Sequence, residues 1–135
     1  METAKKEKIR VLLTRHVFEG HDIGLRTIVN RCRESGIEVI YYPRFKDLNE
    51  VVKVAEEEDV GLIGISSSTG AHLYLSEVLI STLKEKGMVM PVIVGGIIPD
   101  KDASTLKGLG IAGVFGPGST PDEVVSFIFT LLDRH

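Results

Sequence analysis

The strongest constraint on the fold is an alternation of five short apolar runs with five segments of helical spacing. The runs are rich in Val, Ile and Leu, and they span Ile9–Thr14, Ile37–Tyr42, Val60–Ser66, Pro91–Gly95 and Ile111–Gly116. Such runs are typical of strands that are buried on both faces. Strands that alternate with helices pair in parallel through right-handed crossovers. The pattern predicts an α/β domain with a doubly wound, five-stranded parallel sheet in the flavodoxin-like (Rossmann-like) order 2-1-3-4-5.

Capping and turn residues delimit the helices between these strands. The predicted helices are Ile23–Ser35, Leu48–Glu58, Ala71–Lys86, Asp100–Gly108 and a last one that begins near Thr120. Gly36 is a favourable C-terminal cap for the first, and Asp47 is a favourable N-cap for the second. Pro121 suits the first turn of the last helix. Because no linker or repeat interrupts the pattern, we expect one domain over residues 1–135 with an ordered core of about 8–132.

Size and charge exclude several classes of protein. A chain of 135 residues suits a single globular domain, and its net charge of −3 gives no electrostatic case for binding nucleic acid or an anionic membrane. No apolar run is long enough to span a bilayer, and the polar start, Met1 to Arg10, lacks the apolar core of a signal peptide. Cys32 is the only cysteine, and its place in a helical pattern predicts a buried, inert thiol. We therefore expect a cytoplasmic protein.

The fold class predicts where a ligand would bind. Open α/β sheets bind ligands beyond the carboxyl ends of their strands. The loops predicted there are Arg15–Asp22, Ser66–Gly70, Gly95–Pro99 and Gly116–Thr120, and they hold histidines, carboxylates, hydroxyls, glycines and prolines. Many α/β loops have such a composition. Here, however, all of the unusual composition falls on one edge of the sheet, which indicates a ligand site.

The first of these loops contains the run Glu19-Gly20-His21-Asp22-Ile23-Gly24. A neutral imidazole is the commonest protein ligand for a transition metal, and a nearby carboxylate such as Glu19 would fix its tautomer. Gly20 and Gly24 would let the backbone pass close to a bulky ligand. A lone loop histidine is more often simply solvated, and one histidine cannot hold a bare ion, which needs three or four ligands. His21 makes sense as a ligand only for a metal that is already chelated, as in a macrocycle.

The other loops consist of small residues. Ser66-Ser67-Ser68-Thr69-Gly70 offers hydroxyl donors and space before the third helix, although simple capping of that helix would need only one of them. Gly95 and Gly96 follow the fourth strand, and Gly116 and Gly118 follow the fifth. Glycines at strand ends indicate either the close approach of a flat group or only a tight turn.

Together, these runs resemble the cobalamin-binding domain of the methylmalonyl-CoA mutase family, and especially the separate small subunits of acyl-CoA mutases such as 2-hydroxyisobutyryl-CoA mutase. That family carries Asp-x-His-x-x-Gly, Ser-x-Leu and Gly-Gly motifs. Glu19 to Gly24 matches the first with Glu for Asp, Ser66 to Ser68 matches the second with Ser68 for Leu, and Gly95-Gly96 matches the third without change. The similarity covers about Lys8 to Leu132.

The resemblance implies a way of binding adenosylcobalamin. In the family the cofactor's own benzimidazole base leaves the cobalt, the motif histidine replaces it, and the displaced nucleotide tail inserts between the Ser-x-Leu and Gly-Gly loops. Carried over, His21 would be the lower axial cobalt ligand and Glu19 its hydrogen-bond partner. Ser66 and the Gly95-Gly96 pair would line the tail pocket. The longer Glu19 would change the basicity of the ligand modestly, and Ser68 would weaken the apolar contact beside the base.

The resemblance predicts the cobalamin-binding subunit of an adenosylcobalamin-dependent acyl-CoA mutase, an isomerase that rearranges a carbon skeleton by radical chemistry. No catalytic residue is assigned to this chain. It is too short to include the substrate barrel of roughly 250 residues, so we expect a separate large subunit with an acyl-CoA-binding barrel as partner.

Two other B12 functions stay open as alternatives, a corrinoid methyl carrier for a methyltransferase and a B12-dependent sensor or storage module. A carrier usually has a helical bundle before this domain, whereas only about seven residues precede the first strand here. Proteins of the same fold outside the B12 class fit less well. A receiver domain needs acidic residues where Thr14-Arg15 and Ser66-Ser67 stand, and a flavodoxin needs a hydroxyl-rich phosphate loop after the first strand.

Overall fold

A computed structural model describes residues 8–16, 23–67 and 70–132, with Ile23 described by its backbone alone. The five strands are β1 (Arg10–His16), β2 (Glu38–Phe45), β3 (Ile63–Ser67), β4 (Val92–Gly96) and β5 (Gly113–Phe115). The five helices are α1 (Ile23–Glu34), α2 (Leu48–Glu57), α3 (His72–Glu85), α4 (Asp100–Leu109) and α5 (Pro121–Leu132). Each predicted strand and helix is thereby confirmed, with shifts of a few residues at its ends.

The strands form one sheet in the order β2-β1-β3-β4-β5, and every neighbouring pair is parallel. The predicted fold class and strand order are confirmed. The first strand is longer than predicted because Arg15 pairs with Ser66 of β3 and His16 pairs with Phe45 of β2. The third strand begins later than predicted because the N–H of Val60 donates to the carbonyl of Ala55 and so still belongs to the end of α2.

Two apolar layers enclose the sheet. Helices α2, α3 and α4 cover one face, where the central strands contribute Leu12, Ile63, Ile65, Val92 and Val94. Helices α1 and α5 cover the other face against Val11, Leu13, Leu62 and Ile93. Burial of each such side chain contributes about 1.5–3 kcal/mol. These layers hold the strand ends in place.

Helix ends follow the predicted capping signals. The Asp47 carboxylate accepts a hydrogen bond from the Asn49 N–H at 2.7 Å, as an N-cap should. At the end of α1, Gly36 has a φ of +92° and the Ile37 N–H donates to the Cys32 carbonyl, which is the Schellman arrangement. No helix in the described part of the chain is long and apolar enough to cross a membrane.

Cys32 lies in the α1 layer and is fully buried, as predicted. Burial raises the pKa of this thiol to about 11 from an ordinary value of 9.0, because an apolar environment disfavours the thiolate. The thiol therefore stays protonated and unreactive at neutral pH.

Candidate functional site

The strand register brings small residues into adjacent rows at the carboxyl edge of the sheet. One row runs across β1, β3, β4 and β5 and consists of Leu13, Gly64, Ile93 and Gly113. Two residues further along each strand, the next row consists of Arg15, Ser66, Gly95 and Phe115. Since side chains alternate between the faces of a strand, both rows face the same side of the sheet. Three of the central positions in these rows are glycine or serine, which leaves space above β3 and β4.

That space is a cleft of about 350 Å³ between α1 and α5. Its small lining residues are Gly64, Ser66, Gly95, Gly96, Gly116 and Gly118. Leu25 and Ile28 of α1 form one wall, and Phe115, Pro121 and Val124 form the other. A volume of this size lies at the lower end of the range for small-molecule sites.

Helix α5 is held at the wall of the cleft by close packing and by a capping box. The ring of Phe127 lies directly over Gly113, where a Cβ would come within 2.8 Å of its Cζ, and it meets Phe115 edge-on with ring centroids 5.4 Å apart. The Thr120 N–H donates to the Glu123 carboxylate at 2.7 Å, and the Glu123 N–H donates to the Thr120 hydroxyl at 3.1 Å. These reciprocal bonds start the helix at a defined residue, at the wall of the cleft.

The two helices that flank the cleft are also joined directly. The Arg31 Nε of α1 lies 2.6 Å from the Asp122 Oδ1 of α5, and this contact raises the pKa of Arg31 through the hydrogen bond and the charge of Asp122. The pair is exposed, so its contribution to stability is small. It lies on the first turn of α5, beside Pro121, and so links the two walls.

The chemistry of the cleft suits an uncharged, flat group. Of the described residues that line it, none has an ionisable side chain, and the hydroxyls come from Thr27, Ser66 and Ser119. A Cβ on Gly95 would lie 3.5 Å from the Phe115 carbonyl, which is ordinary contact, so a larger side chain there would extend into the cleft. An apolar ring with a few hydrogen-bonding atoms fits this lining, whereas a charged ligand would find no partner among these residues.

The structure brings together the predicted site residues that it describes. Ser66, Gly95, Gly96, Gly116 and Gly118 lie along the cleft, and Gly24 lines it from α1. Ser66 and Ser67 do not cap α3, because both belong to β3 and the N-cap residue of α3 is Ala71. Ser68 and Thr69 of the same run lie outside the described residues. The paired glycines do more than make a tight turn, since both line the cleft.

Other predicted residues lie outside the described part of the chain or are described only in part. Glu19, Gly20, His21, Asp22 and Ser68 belong to the first group. Ile23 is the first residue of α1, and only its backbone is described. In the sequence, His21 lies between the end of β1 and the start of α1, three residues before Gly24.

Sequence reasoning missed the floor of the cleft. Gly64 is buried in the middle of β3, and a Cβ there would lie 2.6 Å from the Leu13 Cδ2 and 3.2 Å from the Ile93 Cγ1. An isolated glycine inside an apolar strand is a known sign of a close approach, so this residue could have been found. The apolar walls from α1 and α5 gave no such signal, because their residues are indistinguishable from core residues in the sequence.

Comparisons with known proteins agree with this geometry. The B12 binding domain family model matches residues 9–126. The chain is 40% identical to the pivalyl-CoA mutase small subunit of Xanthobacter autotrophicus, over 91% of this chain and 83% of the relative. It is 34% identical to the 2-hydroxyisobutanoyl-CoA mutase small subunit of Aquincola tertiaricarbonis, over 92% of each chain.

A solved structure of a cobalamin-binding protein from Desulfitobacterium hafniense superposes with a TM-score of 0.80 at 18% identity. The superposition covers 93% of this chain and 60% of that one. At this identity the likeness shows the fold alone.

Proposed function

The chain belongs to the B12-binding domain family, and we propose that it is the cobalamin-binding small subunit of an adenosylcobalamin-dependent acyl-CoA mutase, an isomerase. Two small subunits of such mutases match nearly the whole chain at 34–40% identity. The observation that carries the proposal is the cleft of about 350 Å³ at the carboxyl edge, because its small-residue lining comes from the same loops as the Ser66 and Gly95-Gly96 motifs.

The cleft would hold the nucleotide tail of the cofactor. Its benzimidazole base is flat and largely apolar, which matches the uncharged lining and the glycine floor at Gly64 and Gly95. Ser66 would offer a hydroxyl to the base, while Gly116 and Gly118 would let the β5–α5 loop approach the rest of the tail. The capping box of Thr120 and Glu123 would keep that loop in place.

The segment before α1 would bind the cobalt side of the cofactor. His21 would be the axial ligand, with Glu19 as the carboxylate that orients its ring. Gly20, Asp22, Ile23 and Gly24 would contribute backbone close to the corrin. With His21 on the cobalt, the cofactor's own base would be displaced, and the cleft would hold its nucleotide tail.

When bound, adenosylcobalamin supplies the radical chemistry through homolysis of its cobalt–carbon bond. The chain's own residues bind and orient the cofactor. Binding and rearrangement of the acyl-CoA would belong to a large subunit, whose barrel would cover the exposed face of the corrin. We place this partner against the loops at 15–20 and 66–72.

A cytoplasmic location stays a prediction.

A methyl carrier and a sensor or storage module are less favoured. Matches to separate mutase small subunits cover most of both chains, whereas the Desulfitobacterium structure shares the fold with only 18% identity. The discriminating experiment is titration of the purified chain with adenosylcobalamin, followed by an isomerase assay after addition of a large subunit. Binding without partner-dependent isomerisation would favour a carrier or sensor, and absence of binding would overturn the proposal.

A further inference from the structure

A hydrogen bond between buried His72 and partly exposed Asp102 links the first turns of α3 and α4. The His72 Nε2 lies 2.7 Å from the Asp102 Oδ2. His72 is 4% exposed and the Asp102 side chain 18% exposed. The pair lies on the face of the sheet opposite the cleft, at the same carboxyl edge. It joins the two helices that follow the Ser66 and Gly95-Gly96 loops.

His72 is the donor in its hydrogen bond with Asp102. A carboxylate oxygen accepts hydrogen bonds, so the Nε2–H of His72 donates to the Asp102 Oδ2. Among the described residues, the buried Nδ1 of His72 has no hydrogen-bond partner.

Neither α3 nor α4 has a side-chain cap at its N-terminus. Ala71 and Pro99 are the N-cap residues of α3 and α4, and neither makes a side-chain capping bond. The two helix starts are instead connected to each other through His72 and Asp102. A buried hydrogen bond to a charged group is stronger than a neutral one, so the connection is well suited to fix their separation.

The two loops are joined a second time, close to the cleft. The Ile97 N–H donates to the Ser67 carbonyl at 3.1 Å. Ser67 follows Ser66, and Ile97 follows Gly96, so this bond connects residues adjacent to the cleft lining. In the sequence, Ser66 and Ser67 lead to His72, and Gly96 and Ile97 lead to Asp102. The two segments are therefore connected twice, by the Ser67–Ile97 bond and by the His72–Asp102 pair.

We propose that His72 and Asp102 are positioning residues that hold the β3–α3 and β4–α4 loops at the spacing required to bind the nucleotide tail of cobalamin. Because they lie on the face of the sheet opposite the cleft, they would act through the loops and not by contact with the cofactor. This inference rests on the proposed function, because it assigns the tail to the cleft.

The test is a double-mutant cycle on the full chain, with adenosylcobalamin affinity measured by absorption titration. Asp102→Ala should weaken binding about tenfold, and it should have little further effect in a His72→Ala background. Asp102→Asn should restore most of the affinity, since its amide oxygen can accept from the Nε2–H. The matched control is Asp100→Ala, which removes an exposed carboxylate from the same helical turn and should leave affinity unchanged.

Amide hydrogen exchange of the unliganded protein provides a readout that general destabilisation would not give. Asp102→Ala should speed exchange at the Ile97 N–H and leave the amides of α5 unchanged. Equal affinities for Asp102→Ala and Asp100→Ala would overturn the inference, as would equal losses for the Ala and Asn variants or faster exchange throughout the chain. If wild-type protein binds no adenosylcobalamin, the proposed function fails; if it binds and the variants match it, only the positioning role fails.

Discussion

Gly96 packs against Ser67 so closely that a Cβ on Gly96 would overlap the Ser67 carbonyl oxygen. The φ of Gly96 is +128°, a backbone conformation that residues with a side chain rarely adopt. The neighbouring Gly95 has no such restriction, because a Cβ there would meet the Phe115 carbonyl only at 3.5 Å. The two glycines therefore have different functions: Gly96 permits the close contact between the ends of β3 and β4, and Gly95 leaves the cleft open.

This difference changes how a test of the cleft should be designed. Gly95→Leu would fill the cleft, and we expect it to weaken adenosylcobalamin binding about a hundredfold. The expected loss exceeds that of His21→Ala, because insertion of the tail buries more surface than one axial bond replaces. Titration of both variants by absorption spectroscopy provides the comparison.

Gly108→Leu is a control for that substitution, since Gly108 lies in α4 with open space where a Cβ would be. It should bind as wild type does. Gly96→Leu should also lose affinity, but with a lower free energy of unfolding, because it disrupts the contact with Ser67. Wild-type affinity in Gly95→Leu would show that the tail does not enter the cleft.

A second prediction concerns the axial ligand. The loaded chain should hold cobalamin with its own base off the metal and His21 on it. The EPR spectrum of the Co(II) form, prepared with ¹⁵N-histidine-labelled protein, should change its superhyperfine splitting on labelling, because the coordinating nitrogen comes from the protein. His21→Ala should abolish this change. Splitting from the benzimidazole nitrogen in the wild-type protein would contradict the assignment.

A third prediction concerns activity. The cobalamin-loaded chain should show no acyl-CoA isomerisation alone and should gain it with its large subunit, because radical chemistry requires a closed site that excludes water. The assay is isomerisation of an acyl-CoA with and without a mutase large subunit. Turnover by the chain alone would refute this prediction.

A fourth prediction follows from Cys32. Its folded-state pKa of about 11 lies above the ordinary 9.0. The protonated thiol therefore makes its full contribution to the free energy of unfolding below about pH 9. That contribution should decline as the pH rises from 9 through 11, by about 2 kcal/mol in total. Denaturant unfolding of wild type and Cys32→Ala across this range isolates the effect from other groups. Parallel pH profiles for the two proteins would rule it out.

Local sequence patterns determined most of the fold. Apolar runs such as Val92–Val94, together with helix-start signals such as Asp47 and Pro121, predicted every strand and helix and the strand order. These signals can be read locally, because an apolar run or a capping residue extends over only a few positions of the chain. The same alternation placed the functional loops on one edge of the sheet, and their motifs indicated cobalamin.

Only the tertiary structure determined the contacts that connect the residues at this edge of the sheet. The cleft floor at Gly64 depends on the register that sets it between Leu13 and Ile93. The distinct functions of Gly95 and Gly96 depend on how closely β3 approaches β4. The His72–Asp102 pair joins residues 30 positions apart, on helices whose separate patterns contain no sign of each other. Contacts of this kind arise from the packing of whole elements, and no local rule encodes them.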